Sequence, residues 1–191
     1  MRVPDLRDDA VALRPWRESD LPAKLVAFND PVVQRFSSPD AGPYTEAKAR
    51  ENLAEDERGW RDGTGAEFAC AAPDDDEAIL GGASIYDIEA AWARACVGYW
   101  LAPHARGRGI ATRAVQLLAR WAFVDLGIER LQLTCGPDNE ASQRVAERAG
   151  FTREGVLRSH LPFKGGRRDT VVFSLLPGEL ATPANCVRGP T

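Results

Sequence analysis

The 191-residue sequence is poor in the residues that build metal sites and disulfide frameworks. It contains four cysteines and two histidines, and the cysteines at positions 70, 96, 135 and 186 lack the Cys-x-x-Cys spacing that is typical of zinc sites. No apolar run approaches the roughly 18 residues of a membrane-spanning helix, and the charged opening at residues 1–9 is unlike a signal peptide. The sequence therefore predicts no metal and no membrane anchor, and it favours a cytoplasmic protein.

An excess of positive charge is also missing. The net charge of -4 gives no general affinity for nucleic acid and mildly favours cationic substrates such as amines. Hydrophobic residues at 44% and charged residues at 27% are typical of a globular protein, and the length fits one domain with a sizeable core. We therefore predict a single domain over residues 1–176, followed by a flexible tail over residues 177–191, where proline, glycine and small residues dominate.

The most informative stretch is the glycine loop, residues 106–111, which reads Arg-Gly-Arg-Gly-Ile-Ala and joins a predicted strand to a long amphipathic helix. Gly107 and Gly109 permit backbone conformations that are closed to other residues and let a ligand approach the main chain closely. The helix that follows begins with N–H groups that have no partner within it, and its dipole adds partial positive charge there. Such a junction favours a phosphate.

Three phosphate-binding patterns compete for the glycine loop, and a turn that merely caps a helix is the alternative without a ligand. A nucleotide-triphosphate loop requires Gly-Lys-Ser/Thr, but Gly109 is followed by Ile110 and Ala111. A dinucleotide fingerprint requires a third glycine where Thr112 stands. The third pattern, Gln/Arg-x-x-Gly-x-Gly/Ala at the start of a helix, is met by Arg106, Gly109 and Ala111.

Periodicity and turn residues predict a mixed α/β domain. Strands are predicted at residues 11–16, 67–72, 78–88, 94–101, 131–135, 153–160 and 168–176, and helices at residues 19–28, 31–36, 45–62, 110–127 and 138–150. A loop at residues 161–167 is expected to separate the last two strands. The strand, helix and strand around the glycine loop suggest one parallel crossover.

This order of elements is similar to the GNAT superfamily of acyl-CoA-dependent N-acyltransferases over residues 10–176. The glycine loop resembles the pyrophosphate loop of that family, and Gly-Tyr-Trp-Leu before it resembles the family's fourth strand. Asn139 and Ser142 in Asn-x-x-Ser, then Ala-Gly-Phe at residues 149–151 and Arg168-Asp169, resemble the Rim-type branch of ribosomal-protein N-terminal acetyltransferases. The resemblance implies a GNAT fold of the α/β (α+β) class. Its mixed, mostly antiparallel sheet would have six to seven strands flanked by helices, with a splayed parallel strand pair at the cofactor site.

The resemblance also implies a binding site for acetyl-CoA, or another acyl-CoA, as cosubstrate. The loop would bind the pyrophosphate through backbone N–H groups, with charge from Arg106 or Arg108, and the strand would offer main-chain partners to the pantetheine arm. Asn139 would bond the pantetheine, or would simply cap its helix, and the two roles can coexist. The expected cofactor-binding residues are Trp100, Leu101, Arg106, Gly107, Arg108, Gly109, Ile110, Ala111 and Asn139.

The chemistry requires two proton transfers. The amine attacks only when neutral, and the thiolate leaves more easily when it is protonated. Many family members have a tyrosine where this chain has Ser142, but the Rim-type branch resembles this chain in having serine, so Ser142 is the candidate acid; a first-turn helix hydroxyl without chemistry is the alternative. Glu67, Asp87 and Glu89 are candidates for the base, unless an amine of modest pKa needs none.

The sequence thus predicts an N-acyltransferase that moves an acetyl group from acetyl-CoA to a primary amine by direct attack in a ternary complex. The acceptor would be a peptide or protein N-terminus or a small-molecule amine, and the resemblance favours termini. Neither nucleic acid nor membrane is an expected partner, and the last strands could form a homodimer. Two alternatives stay open, a CoA-binding regulatory or interaction module without turnover and a dinucleotide-dependent oxidoreductase.

Overall fold

The structure is a computed structural model that describes residues 1–37 and 42–180. The strands in this part of the chain are β1 (Leu6–Arg7), β2 (Ala12–Pro15), β3 (Ala66–Ala72), β4 (Asp75–Glu89), β5 (Arg94–Leu101), β6 (Arg130–Cys135), β7 (Thr152–Phe163) and β8 (Gly166–Leu175). The α-helices are α1 (Leu21–Phe28), α2 (Pro31–Phe36), α3 (Glu46–Asp62), α4 (Ile110–Val124) and α5 (Glu140–Ala149).

All eight strands form one sheet in the order β1-β2-β3-β4-β5-β6-β8-β7. Within the described residues, β5 and β6 are the parallel neighbours and the other pairings are antiparallel. The predicted fold class and the parallel crossover are therefore confirmed. The sheet has one strand more than predicted because β1 pairs only Leu6 with Leu13 and Arg7 with Ala12, and two residues are too short for a periodic signal.

Helices cover both faces of the sheet. The main buried cluster joins the inner faces of the strands to the apolar side of α4, where Ile110, Leu118 and Trp121 are almost fully buried. On the opposite face, Trp16 and Trp100 pack with Ala27 of α1 in a second cluster. The sheet is therefore packed against helices on both of its faces.

The predicted loop at residues 161–167 is wrong. The strands β7 and β8 extend to Phe163 and Gly166, so the connection is the two-residue turn Lys164-Gly165, whose φ values are +49° and +77°. Two consecutive positive φ values are typical of a tight hairpin turn. Pro162 does not interrupt pairing because β7 is the last strand of the sheet, where a missing N–H costs no ladder bond.

The parallel pair opens into a wedge. Its register contains three residue pairs and stops at Cys96 and Gln132, whereas β5 continues along β4 to Leu101 and β6 continues along β8 to Cys135. Both α4 and α5 begin shortly after these diverging ends. The N-termini of two helices and an unpaired strand edge thus meet at one place.

Two expectations fall partly outside the described residues. The serine, proline and glycine content of residues 37–43 predicts a loop, which includes residues 38–41, and the predicted tail includes residues 181–191. Before that, Pro177–Glu179 forms a short 3-10 helix. The division into a domain over residues 1–176 and a tail stays a prediction.

Candidate active site

The glycine loop places an uncapped helix terminus at the open end of the wedge. Gly107 has a φ of +75° and Gly109, the N-cap of α4, a φ of +80°. A Cβ atom added at either glycine would meet nothing within 4 Å, so the backbone conformation and the access of a ligand, rather than crowding, explain both residues. Gly109 offers no side chain to the first N–H groups of α4, which an anion can therefore bind.

Arg106 ties the loop to its surroundings. Its guanidinium donates to the carbonyl oxygen of Leu101, from Nε at 3.2 Å and from Nη2 at 3.1 Å, and it pairs with the carboxylate of Asp30. This hydrogen bond lowers the pKa of Asp30, which is also the N-cap of α2. Arg108 is exposed and belongs to none of the ion pairs between described residues, so it is the uncommitted cation of the loop.

The edge of β5 carries unpaired peptide groups. The N–H of Ala102 donates to Leu80 of β4 at 2.9 Å, and peptide groups alternate between the two edges of a strand. The peptide groups of Tyr99 and Leu101 therefore face the wedge, whereas those of Trp100 face β4. Of the two expected main-chain partners, Leu101 lies at the open edge; the indole of Trp100 is buried and stacks on Trp16 at 5.9 Å.

Two cavities meet at the wedge. The first, here called the loop cavity, has a volume of about 210 Å³ and lies between α2, the end of β5, the glycine loop and the start of α5. The second, here called the charged cavity, has a volume of about 390 Å³ and extends beneath α1 and α3 across the sheet. Both are lined by Phe36, Ser37, Tyr99, Trp100, Asn139 and Ser142.

Ser142 lies at the junction of the cavities with its hydroxyl already hydrogen-bonded. The Tyr99 hydroxyl donates to Ser142 Oγ at 3.0 Å, and the side chain of Asn139 accepts from the Ser142 N–H at 3.1 Å. Asn139 is thus the N-cap of α5, as the simpler interpretation predicted, and it also lines both cavities. Burial raises the pKa of Tyr99 to about 12, so Tyr99 keeps its proton and acts as a donor.

Three charged groups lie at the other end of the charged cavity. Lys24 is 2% exposed, and its Nζ lies 3.6 Å from Asp56 Oδ2 and 3.7 Å from Glu67 Oε2, above the ring of Trp16 at 4.7 Å. Burial, followed by the charge of Glu67, raises the pKa of Asp56 to about 7, although Lys24 opposes the shift. Asp56 and Glu67 share the single ammonium of Lys24. When both carboxylates are ionised, one negative charge is therefore available to a further cation.

The structure separates the three candidate bases. Glu67 lines the charged cavity, whereas Asp87 and Glu89 lie outside it, and Glu89 is paired with Arg94 at 2.8 Å.

Lys24 and Asp56 were not identified from the sequence. Asp56 is one of many charges on α3, most of which face solvent. Lys24 carried a usable signal, because it is the sole charged residue in α1 and shares a face with the buried Leu21 and Ala27.

Comparisons with known proteins agree with this geometry. The acetyltransferase (GNAT) domain model matches residues 11–152. The uncharacterized N-acetyltransferase p20 of Bacillus licheniformis is 28% identical over 177 residues, which cover 92% of this chain and 98% of that protein. The ribosomal-protein-serine acetyltransferase of Escherichia coli is 34% identical over 83 residues, which cover 44% of this chain and 46% of that protein. The structure of Mycobacterium smegmatis RimJ in complex with CoA-disulfide superposes with a TM-score of 0.81 at 26% identity, covering 94% of this chain and 89% of that one.

The chain therefore belongs to the GNAT acetyltransferase family, and its similarity to the Rim-type branch is confirmed. It is an N-acetyltransferase that uses acetyl-CoA as cosubstrate. The comparisons give no support to a module without turnover or to a dinucleotide-dependent oxidoreductase. Among the described residues, no helix is long and apolar enough to cross a membrane.

Proposed function

We propose that this enzyme acetylates the primary amine of a peptide or protein N-terminus, with the acetyl group held where the loop cavity and the charged cavity meet. The observation that carries the proposal is the pair Tyr99–Ser142, which lines both cavities. The named relatives that modify ribosomal proteins support a protein acceptor. A cytoplasmic location and a homodimer stay predictions from the sequence.

The loop cavity is proposed to hold acetyl-CoA. The N–H groups of residues 107–111 would bind the pyrophosphate, with charge supplied by Arg108, while Arg106 holds the loop in place. The open peptide groups of Tyr99 and the N–H of Leu101, whose carbonyl oxygen already accepts from Arg106, would pair with the pantetheine arm, and the amide of Asn139 lies beside the same path. The fit rests on an uncapped helix N-terminus next to an unpaired strand edge, since both offer donors to a phosphate and an amide.

The charged cavity is proposed to hold the amine and take its proton. Asp56 and Glu67 would attract the ammonium group of the acceptor. The Asp56 carboxylate would accept a proton from it through water, because the pKa of about 7 for Asp56 lies close to the working pH. The neutral nitrogen then attacks the thioester carbon, where an N–H at the open edge of β5 can stabilise the oxyanion.

Ser142 is proposed as the acid that completes the transfer. When the carbon–sulfur bond breaks, the electron pair stays on sulfur, the hydroxyl proton of Ser142 moves to the thiolate, and the surplus proton of the attacking nitrogen restores the Ser142 hydroxyl as the neutral amide forms. The hydrogen bond from Tyr99 occupies an acceptor position of Ser142 Oγ, so the serine hydrogen is directed elsewhere and its acidity increases. Tyr99 is therefore a positioning residue.

Titration of the protein with acetyl-CoA by calorimetry, followed by a free-thiol assay with short peptides and simple amines, tests the proposal. We expect saturable binding and release of CoA with at least one peptide. Binding without release from any amine would overturn the proposed turnover, and an absence of binding would overturn the assignment of the loop.

A further inference from the structure

The charged cavity contains two buried polar atoms of opposite type that lack a hydrogen-bond partner, although one of them, Asp56 Oδ2, lies 3.6 Å from Lys24 Nζ. In the part of the chain that the structure describes, three buried side-chain atoms have no hydrogen-bond partner, namely Trp16 Nε1, Asp56 Oδ2 and Arg168 Nε. Both Asp56 and Arg168 line the charged cavity. One is an acceptor that needs a donor, and the other is a donor that needs an acceptor. Buried groups of this kind are costly to leave unpaired.

Arg168 is held by a ring contact and a long hydrogen bond rather than by an ion pair, although the charge of Asp138 acts on it. Its guanidinium lies 4.0 Å above the ring of Phe163, and Nη1 reaches the carbonyl oxygen of Phe36 at a long 3.4 Å. None of the ion pairs between described residues includes Arg168, because the nearby Asp138 pairs with Arg35 at 2.7 Å. Burial lowers the pKa of Arg168, so an oxygen acceptor would stabilise its charged form.

Arg168 lies at the Ser142 end of the cavity. Burial raises the pKa of the Cys135 thiol, while a hydrogen bond from Ser142 and the charge of Arg168 both lower it, so Cys135 adjoins both residues. A Cβ atom added at Gly136, just before α5, would lie 3.8 Å from Arg168 Nη1. An oxygen bound by Arg168 would therefore lie close to the place where the amine must react.

We infer that Arg168 is a specificity-determining residue, which binds the carbonyl or carboxylate oxygen next to the amine of the acceptor. The inference rests on the proposed function and names the side chain that recognises its aminoacyl acceptor. The amine and the carbonyl oxygen of one amino acid are about 3 Å apart, so an oxygen on Arg168 keeps the amine near Ser142, from where its proton reaches Asp56 through water. A polyamine has no such oxygen and would bring positive charge toward a half-buried guanidinium.

Acceptor specificity in wild type and variants tests the inference. The probes are Ser-Ala-Ala, free serine and 1,3-diaminopropane, and the readout is kcat/KM from CoA release. We expect Arg168→Met to lower kcat/KM for Ser-Ala-Ala about tenfold or more through KM, with little change for 1,3-diaminopropane. Arg158→Met is the matched control, since Arg158 is exposed on β7 and does not line the cavity. This variant should keep the wild-type kcat/KM for both acceptors. Comparing each variant with wild type on the same acceptor cancels the intrinsic reactivity of the amine.

The outcomes separate this inference from the proposed function. If Arg168→Met lowers kcat/KM equally for all acceptors, Arg168 is a structural residue and the inference is overturned. The inference is also overturned if 1,3-diaminopropane is the best acceptor of the wild type, although acetyl transfer itself would then stand. If Arg168→Met does not fold, Arg168→Lys keeps the charge but removes Nε, and the same selective loss is expected. Preference for serine over Ser-Ala-Ala would identify the oxygen as a free carboxylate, preference for the peptide would identify it as a peptide carbonyl, and comparable turnover would show that Arg168 accepts either oxygen.

Discussion

The two cavities of the site are built by opposite means. The loop cavity uses the main chain, with two glycines at positive φ, an uncapped helix terminus and an unpaired strand edge. The charged cavity uses side chains from three separate elements, with Asp56 and Glu67 within 3.7 Å of the Lys24 ammonium. A cosubstrate common to a family can be recognised by backbone geometry, whereas the acceptor requires side chains that a particular chain can vary.

The largest expected effect tests whether the loop acts through its backbone. Gly109→Val should weaken acetyl-CoA binding about 100-fold, because a side chain at a φ of +80° displaces N–H donors that bind a charged group. Isothermal titration calorimetry measures the change. Gly127→Val is the matched control, since Gly127 also has a positive φ, +65°, and open space around it.

Both glycine variants should lose about 1–3 kcal/mol of stability through backbone strain, but the control should bind acetyl-CoA normally. Equal affinities in the two variants would show that Gly109 serves the fold rather than the ligand.

A smaller effect tests the side chains where the cavities meet. Ser142→Ala should lower kcat about 100-fold by removing the acid, and Tyr99→Phe about tenfold by removing one hydrogen bond. The affinity for acetyl-CoA should change little in both. The double variant should be no slower than Ser142→Ala, because Tyr99 acts through Ser142.

Tyr86→Phe is the control for the tyrosine. Tyr86 also lines the charged cavity, and burial raises its pKa to about 12 as well, but it does not bond Ser142. Steady-state kinetics at several pH values would contradict the assignment if Tyr86→Phe and Tyr99→Phe had the same effect.

The smallest effect concerns the buried acid. The pKa of Asp56 is raised from 3.8 to about 7 in the folded protein, so folding favours the protonated carboxyl. Its contribution to stability is fully present below about pH 4 and is lost as the pH rises to about 7. An asparagine does not titrate, so Asp56→Asn lacks this loss of stability. The free energy of unfolding of the variant minus that of wild type should therefore be larger at pH 8 than at pH 4, by on the order of 1 kcal/mol.

Urea unfolding at both pH values measures this difference. Glu57→Gln, at the neighbouring and exposed position of α3, should show no such dependence. A stability difference between Asp56→Asn and wild type that stays constant with pH would contradict the buried, titrating carboxyl.

The same contrast explains what the sequence could predict. The helix start at Asn139 and the apolar face of α4 are local patterns, so their predicted structures are confirmed. The hairpin of β7 and β8 is longer than predicted, because Pro162 lies on an edge strand that tolerates it. Its turn is formed by Lys164 and Gly165.

The charged cavity could not be predicted because its members are distant in sequence. Lys24 and Glu67 come from a helix and a strand 43 positions apart, and Arg168 comes from β8. The packing of α1 against the sheet and the order of the strands bring them to one cavity. The roles assigned to Ser142 and to the loop residues stay predictions until binding and turnover are measured.

The bond between Arg106 and Asp30 has a mechanical consequence. Asp30 accepts the first N–H groups of α2 at 3.1 Å and 3.2 Å, and the far end of α2 supplies Phe36, a wall of both cavities. The glycine loop is therefore joined through α2 to a wall that both cavities share. A single helix of six residues thus couples the position of the loop to the position of Phe36.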